Sequence, residues 1–239
     1  MGAQLSQTQI VLLKILACSL KNQKYTSEDF VDYWELYNES SSQTVLLQTI
    51  SALDTEKISD AEIRKKWTNA ALNQLGMNLK IHSQHGYVHK VMRDNDIDYC
   101  ILKGSASASF YPRPLLRTMG DVDFLVRESD ILRGEGAFRR DGFMPWQEQH
   151  ECHVVLRKDN VLLEMHFAPA GMPAGKNGKI IAEYLDDIFS KTELITVENT
   201  TFLRPSSFHH GLILLMHIYH HLLEEGIGLR HLCDWALWI

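Results

Sequence analysis

The stretch GDVDFLV, residues 120–126, puts two carboxylates two residues apart at the head of an otherwise apolar run. Alternate residues of a strand face the same side, so Asp121 and Asp123 stand side by side. Unpaired, like charges at that separation repel and raise each other's pKa. A divalent cation between them removes the cost. Hard oxygen ligands suit Mg²⁺ or Mn²⁺, particularly when phosphate oxygens complete the shell.

A third carboxylate lies downstream. In VLLEMHF, residues 161–167, Leu162, Glu164 and His166 share one face, and Val161, Leu163, Met165 and Phe167 share the other. If this strand pairs beside DVDFLV, three carboxylates converge. Such a cluster can hold two metal ions roughly 3.5–4 Å apart, the arrangement used for in-line phosphoryl transfer. Upstream, the short strand IDYCILKG (97–104) ends in the turn Gly104-Ser105. Glycine lets backbone N–H groups approach an anion, and the start of a following helix favours negative charge. Lys103 and Arg117 are candidate counter-charges for phosphates. A phosphate cradle and a carboxylate cluster on adjacent strands together describe a nucleoside triphosphate pocket.

The rest of the chain sorts into three segments. Residues 1–95 read as an N-terminal helical region, with breaks near 22–27, 38–42 and 54–60. TSED (26–29) offers a capping signature. A long amphipathic helix over 59–95 carries the stripe Ile63, Trp67, Ala70, Leu75, Leu79, His82 and Val88. Residues 96–204 hold the strands. They include a hairpin from ECHVVLR and VLLEMHF around KDN, and a second small hairpin around ENT. Pro112 and Pro114 stop any helix begun at SASASFY. Residues 205–239 read as a C-terminal helical region. It ends within an apolar helical pattern, without a cap, and is expected to be incomplete. The fold expected is α/β (α+β): a small mixed sheet bearing the site, flanked by helices.

The Gly-Ser turn after a strand, Asp-x-Asp on the next strand and a later third acid resemble the DNA polymerase β-like nucleotidyltransferase superfamily. LKGSA, YP, LLR, GDVDFLV and LEMHF, with GLRHLCDWAL at 228–237, are most similar to its uncharacterised nucleotidyltransferase group. The resemblance spans about 97–239. It implies that Gly104 and Ser105 sit at the triphosphate and that Asp121 and Asp123 bind metal. Glu164 takes the third-carboxylate position, usually an Asp, as metal ligand and candidate base. The reaction implied is attack of an acceptor on the α-phosphorus of a nucleoside triphosphate, with release of pyrophosphate. The acceptor, whether small molecule, protein side chain or RNA end, is not legible. The alternative is a degenerate nucleotide-binding or regulatory module.

Simpler roles compete for several of these residues. Glu164 could pair with Arg157 across the hairpin. Lys103 could be a solvated strand end and His166 a packed core residue. His217 and His221 are four apart on one helix face, a spacing metals use, but the sequence shows no third ligand beside them. A structural helix lining the cleft, with His217 or His220 touching nucleotide, is the plainer reading. Arg230 and Asp234 read as an exposed or inter-helix pair.

Composition limits the remaining classes. A net charge of −6 argues against bulk electrostatic grip on nucleic acid. Cys18, Cys100, Cys152 and Cys233 are scattered with no CxxC pair, which points to a reducing cytoplasm. No apolar run reaches membrane-span length. IVLLKILACSL (10–20) has its lysine inside the apolar stretch, which fits an amphipathic helix and not a signal peptide. MGAQLS matches a short myristoylation pattern.

Overall fold

The computed structural model describes residues 4–27, 29, 31–146, 152–224 and 226–239. The start of MGAQLS, and Glu28 of the TSED capping signature, lie outside the described residues.

Four helices precede the sheet: α1 (Gln7–Leu20), α2 (Tyr33–Ser42), α3 (Leu46–Ala52) and α4 (Ala61–Asp94). Each of the longer ones begins at a side-chain cap. Ser6 and Gln9 form a capping box on α1. Asp32 accepts from the Trp34 and Glu35 N–H groups on α2, and Asp60 from Glu62 and Ile63 on α4. The expected break at 38–42 therefore falls inside α2, whose polar ESSS end stays helical because Leu36 and Ser40 are buried beneath it.

The main sheet has five strands: β1 (Tyr99–Ile101), β2 (Val122–Val126), β3 (Met144–Pro145), β4 (His153–Lys158) and β5 (Val161–His166), in the order β1-β2-β5-β4-β3. Among the described residues only β2 and β5 run parallel and the other pairs are antiparallel, so the sheet is mixed as expected. Two short helices, α5 (Ser105–Ala108) and α6 (Ile131–Arg140), link the strands, and α7 (Gly175–Leu185) follows β5. A separate hairpin of β6 (Glu193–Val197) and β7 (Thr200–Arg204) leads into α8 (Ser207–Glu224) and α9 (Leu229–Trp238).

Two apolar cores meet along α4. Its C-terminal half supplies Ile81, Val88, Val91 and Met92 to the sheet core around Phe124, Phe138 and Phe202, while Ile63 and Trp67 join a core with α1–α3, Tyr111 and Cys233. The stripe expected along α4 is corrected at its middle. Leu79 is 48% exposed, and the buried face is carried there by Asn78, Ile81, His82 and His85. The hydrophobic period breaks because these polar side chains brace the site from behind. Asn78 Nδ2 donates to the Leu115 and Arg117 carbonyls at 2.7 and 2.8 Å, and its Oδ1 accepts from the Met119 N–H at 3.0 Å.

Candidate active site

The register decides which carboxylates meet. Asp123 on β2 is the direct partner of Glu164 on β5, and neighbours in adjacent strands share a face. The same face carries His166, whose Nε2 lies 3.1 Å from Asp123 Oδ1 and 3.5 Å from Glu164 Oε2. One ligand atom from each of Asp123, Glu164 and His166 lies within 4.8 Å of the others. Asp121 stands just before β2, close enough to Asp123 to share a hydrogen bond. The two carboxylates and Glu164 therefore do come together. Arg157 does not join Glu164; it sits opposite Leu162, while Val155 faces Glu164. The Arg157 guanidinium instead caps the Asp159 carbonyl at 3.0 Å and stacks 3.9 Å from the Trp146 ring centre.

The electrostatics follow from burial. Asp121 is pushed up to about 7, first by the charge of Asp123 and then by desolvation. Asp123 is 2% exposed. Burial alone would raise it, but Lys103 and His166 outweigh burial and hold it well below the usual carboxylate range. Lys103 is no solvated strand end: its Nζ is 3.1 Å from Asp123 Oδ2, with the side chain 18% exposed. His166 is no neutral core residue either. Burial opposes its charge, yet hydrogen bonds to Asp123, Cys152 and Glu164 lift it to about 10, so it is an imidazolium at neutral pH. The Lys103 ammonium and the His166 imidazolium neutralise Asp123, and Asp121 is about half protonated at neutral pH.

The turn after β1 is held from below. The Leu102 N–H donates to the Asp123 carbonyl at 3.0 Å, so turn and carboxylates move together. Gly104 has φ +56 and ψ −117, a conformation open essentially to glycine alone. A Cβ there would lie 2.7 Å from His85 Nε2. Its neighbour departs from expectation. The Ser105 hydroxyl is fully buried, 2.6 Å from His82 Nδ1 and 2.9 Å from His85 Nδ1. His82 Nε2 reaches the Val197 carbonyl of β6 at 2.9 Å. That contact puts the proton on Nε2, so Ser105 donates to His82 Nδ1 and accepts from His85. The hydroxyl is spent on fastening the turn to α4 and the β6–β7 hairpin.

Arg117 requires a larger correction. Its Nε and Nη2 donate to the two oxygens of Asp234 on α9 at 2.7 and 2.6 Å, and the Tyr111 hydroxyl donates to Asp234 at 2.7 Å. Arg117 and Asp234 are 5% and 4% exposed. The guanidinium is a buried tie between the pre-β2 loop and α9, turned away from the phosphate role. Asp234 accordingly does not pair with Arg230, whose Nε is buried without a hydrogen-bond partner among the described residues. Local sequence cannot show this, because 117 positions separate the partners.

The carboxylate face opens into a cleft of about 840 Å³. Lys103, Asp121, Glu164 and His166 line one wall, and His217, His220 and His221 of α8 line another. The loop Ala168–Met172 lies between them. Strand alternation puts His166 on Glu164's face, but a packed core role competes for it in sequence, and Asp234 shows only its i, i+4 spacing from Arg230. Asn78 and His85 carry no local signal.

Comparison with known proteins supplies the family. The model of the uncharacterised nucleotidyltransferase family matches residues 26–239. No curated protein matches the chain in sequence. Among solved structures, ANT(2'')-Ia in complex with adenylyl-2''-tobramycin is similar at TM-score 0.47 and 13% identity, over 67% of this chain and 87% of that one. A solution structure of the antibiotic-resistance factor ANT(2'')-Ia gives 0.46 and 13%, over 67% and 82%. An antigenic nucleotidyltransferase-like protein from Paracoccidioides brasiliensis gives 0.43 and 13%, over 66% and 74%. None of these likenesses bears on what this chain acts on. The family match covers the strands, the Gly-Ser turn, the three carboxylates and the helices behind them, and on that match the chain belongs to the uncharacterised nucleotidyltransferases.

Proposed function

We propose that the chain transfers a nucleoside monophosphate from a nucleoside triphosphate to an acceptor hydroxyl, with Mg²⁺ or Mn²⁺ as cofactor and pyrophosphate as leaving product. The observation that carries this reading is that Asp121 and Glu164 line one cleft with buried Asp123 beside both, and that Asp121 is held at about 7, first by its neighbour's charge. A carboxylate whose ionisation is opposed first by an adjoining carboxylate and then by burial is a group a divalent cation would ionise. The donor set is all oxygen, which fits Mg²⁺ or Mn²⁺. When bound, the metal supplies charge stabilisation at the reacting phosphoryl group.

The chain's own groups take these roles. Asp121 and Asp123 hold the metal, with Glu164 completing the set. Gly104 and the backbone N–H groups after it bind the triphosphate tail, and Lys103 offers an ammonium to the same phosphates. Arg117 contributes by fixing the loop ahead of β2. Glu164 takes the proton of the acceptor hydroxyl as that oxygen attacks the α-phosphorus and the bond to pyrophosphate breaks. In the organisation we propose, residues 1–95 and 205–239 support the core at 96–204, with α4 shared between the two apolar cores. Among the described residues no helix is long and apolar enough to cross a membrane; we place the chain in the cytoplasm on its scattered cysteines.

Glu164→Gln tests the reading directly. It keeps the side chain's shape and removes its charge. The variant should bind a nucleoside triphosphate within a few-fold of the parent in calorimetry, while pyrophosphate release with a competent acceptor falls by roughly 10²-fold or more. Parent-like turnover would remove Glu164 from the chemistry. Metal-dependent triphosphate binding with no pyrophosphate release from the parent, across a panel of small alcohols, proteins and RNA ends, would favour the nucleotide-binding module instead.

A further inference from the structure

The helical wall of the cleft carries a second cluster, made of histidines. His217 and His221 lie one turn apart on α8, and α9 folds back to bring His231 against both. The ring centres are 4.4 Å apart for His217 and His221, 5.1 Å for His217 and His231, and 4.8 Å for His221 and His231. One nitrogen from each ring lies within 4.8 Å of the other two. The third ligand that the i, i+4 pair lacks in sequence is therefore supplied by tertiary structure.

The surroundings of His217 and His231 favour a metal. His231 is 8% exposed, and its Nε2 is buried with no hydrogen-bond partner among the described residues. A buried polar atom left in that state is destabilising, so an occupant that satisfies it is favoured. Burial holds His217 well below the ordinary imidazole range and His231 at about 4, so both offer lone pairs at neutral pH. Lys103 and Arg230 oppose a cation here, while Asp123 and Asp234 favour one. Zinc–imidazole bonds of about 2.0–2.1 Å place tetrahedral nitrogens roughly 3.3 Å apart. The rings must close by up to about 1.5 Å relative to a 4.8 Å spacing, a movement within reach of side-chain torsions. His231 Nδ1 lies 3.3 Å from the Gly228 N–H. Ligation through Nε2 moves the proton to Nδ1 and gives up that long contact at the start of α9.

We propose that His217, His221 and His231 form a site for a transition-metal ion of the Zn²⁺ type, separate from the carboxylates and with its fourth position open to the cleft. Imidazole ligands select zinc-like ions and all-oxygen sets select magnesium-like ions, so the two walls would sort two metals chemically. This inference does not depend on the proposed transfer reaction.

Cobalt(II) titration of the full chain, nucleotide-free and in excess Mg²⁺, tests it, because tetrahedral cobalt has a strong visible spectrum that Mg²⁺ cannot produce. One equivalent of Co²⁺ should give that spectrum, and Zn²⁺ should displace it. His217→Gln and His221→Gln should each weaken binding at least ~10-fold, while Asp121→Asn binds as the parent does. Circular dichroism confirms that each variant is folded. His231→Gln also disturbs the start of α9, so the two α8 variants are decisive. A parent that shows no tetrahedral spectrum, α8 variants that bind like the parent, or loss of binding in Asp121→Asn would each overturn the site.

Discussion

Asp121→Asn should stabilise the metal-free protein while abolishing its response to Mg²⁺. The carboxyl of Asp121 sits at about 7 in the folded chain, against an ordinary 3.8. At ~1.4 kcal/mol per pH unit, that displacement corresponds to roughly 4 kcal/mol. The sign follows from proton binding. The folded state holds this proton more tightly than the unfolded state, so native stability falls as pH rises from about 4 to about 7, and the whole cost is present above 7. The asparagine amide keeps the neutral shape and can donate to Asp123 as the protonated acid does. Four kcal/mol is a ceiling, because a side chain at the mouth of a cleft can turn toward water. About half of it would raise Tm by roughly 4–8 °C in a chain of this size. The assay is thermal unfolding with a chelator present, from pH 5 to pH 8, for parent and variant side by side. The difference in Tm should already be present at pH 5, at less than half its full size, and grow toward pH 8. With Mg²⁺ in place of the chelator, the order should reverse, because only the parent gains stability from binding. Melting curves that stay parallel across the pH range, or a variant less stable than the parent at pH 8 without metal, would refute the repulsion on which the site rests.

Two further substitutions test how the site is braced. Asp234→Asn leaves the Arg117 guanidinium buried without its counter-charge and should cost about 3–5 kcal/mol in denaturant unfolding. Burial pulls the Asp234 carboxyl upward, but Arg117 and Tyr111 hold it below the ordinary value. The parent should therefore keep this contribution above ~pH 4 and lose it only on further acidification, whereas the variant lacks it throughout. Gly104→Ala combines a strained φ of +56 with a Cβ 2.7 Å from His85 Nε2. We expect a loss of at least ~2 kcal/mol, read as a Tm lower by about 4–8 °C; an unchanged Tm would mean that the turn is not held against His85.

Much of the site was legible because strand periodicity is strict. Alternation alone placed Asp121 and Asp123 on one face and put Glu164 with His166 on one face of the next hairpin. Glycine and proline marked the turn and the end of the short helix that follows it. The apolar pattern also separated helical flanks from a strand-bearing middle, which the structure bears out as a mixed α+β fold.

What the sequence could not decide was which charge meets which. The parallel pairing of β2 with β5, and not merely the hairpin that carries Glu164, sets Glu164 beside Asp123. Arg117 carries the right chemistry for a phosphate, yet α9 returns Asp234 to it from 117 residues away. Ser105 sits at the expected turn, but its hydroxyl is taken by two histidines of α4. His231 completes a trio that the spacing of His217 and His221 only half announces. Periodicity reports the face a side chain takes within its own element, since it follows from local backbone geometry. The partner that face meets depends on register and on packing between segments far apart in the chain, and only the folded structure holds that information.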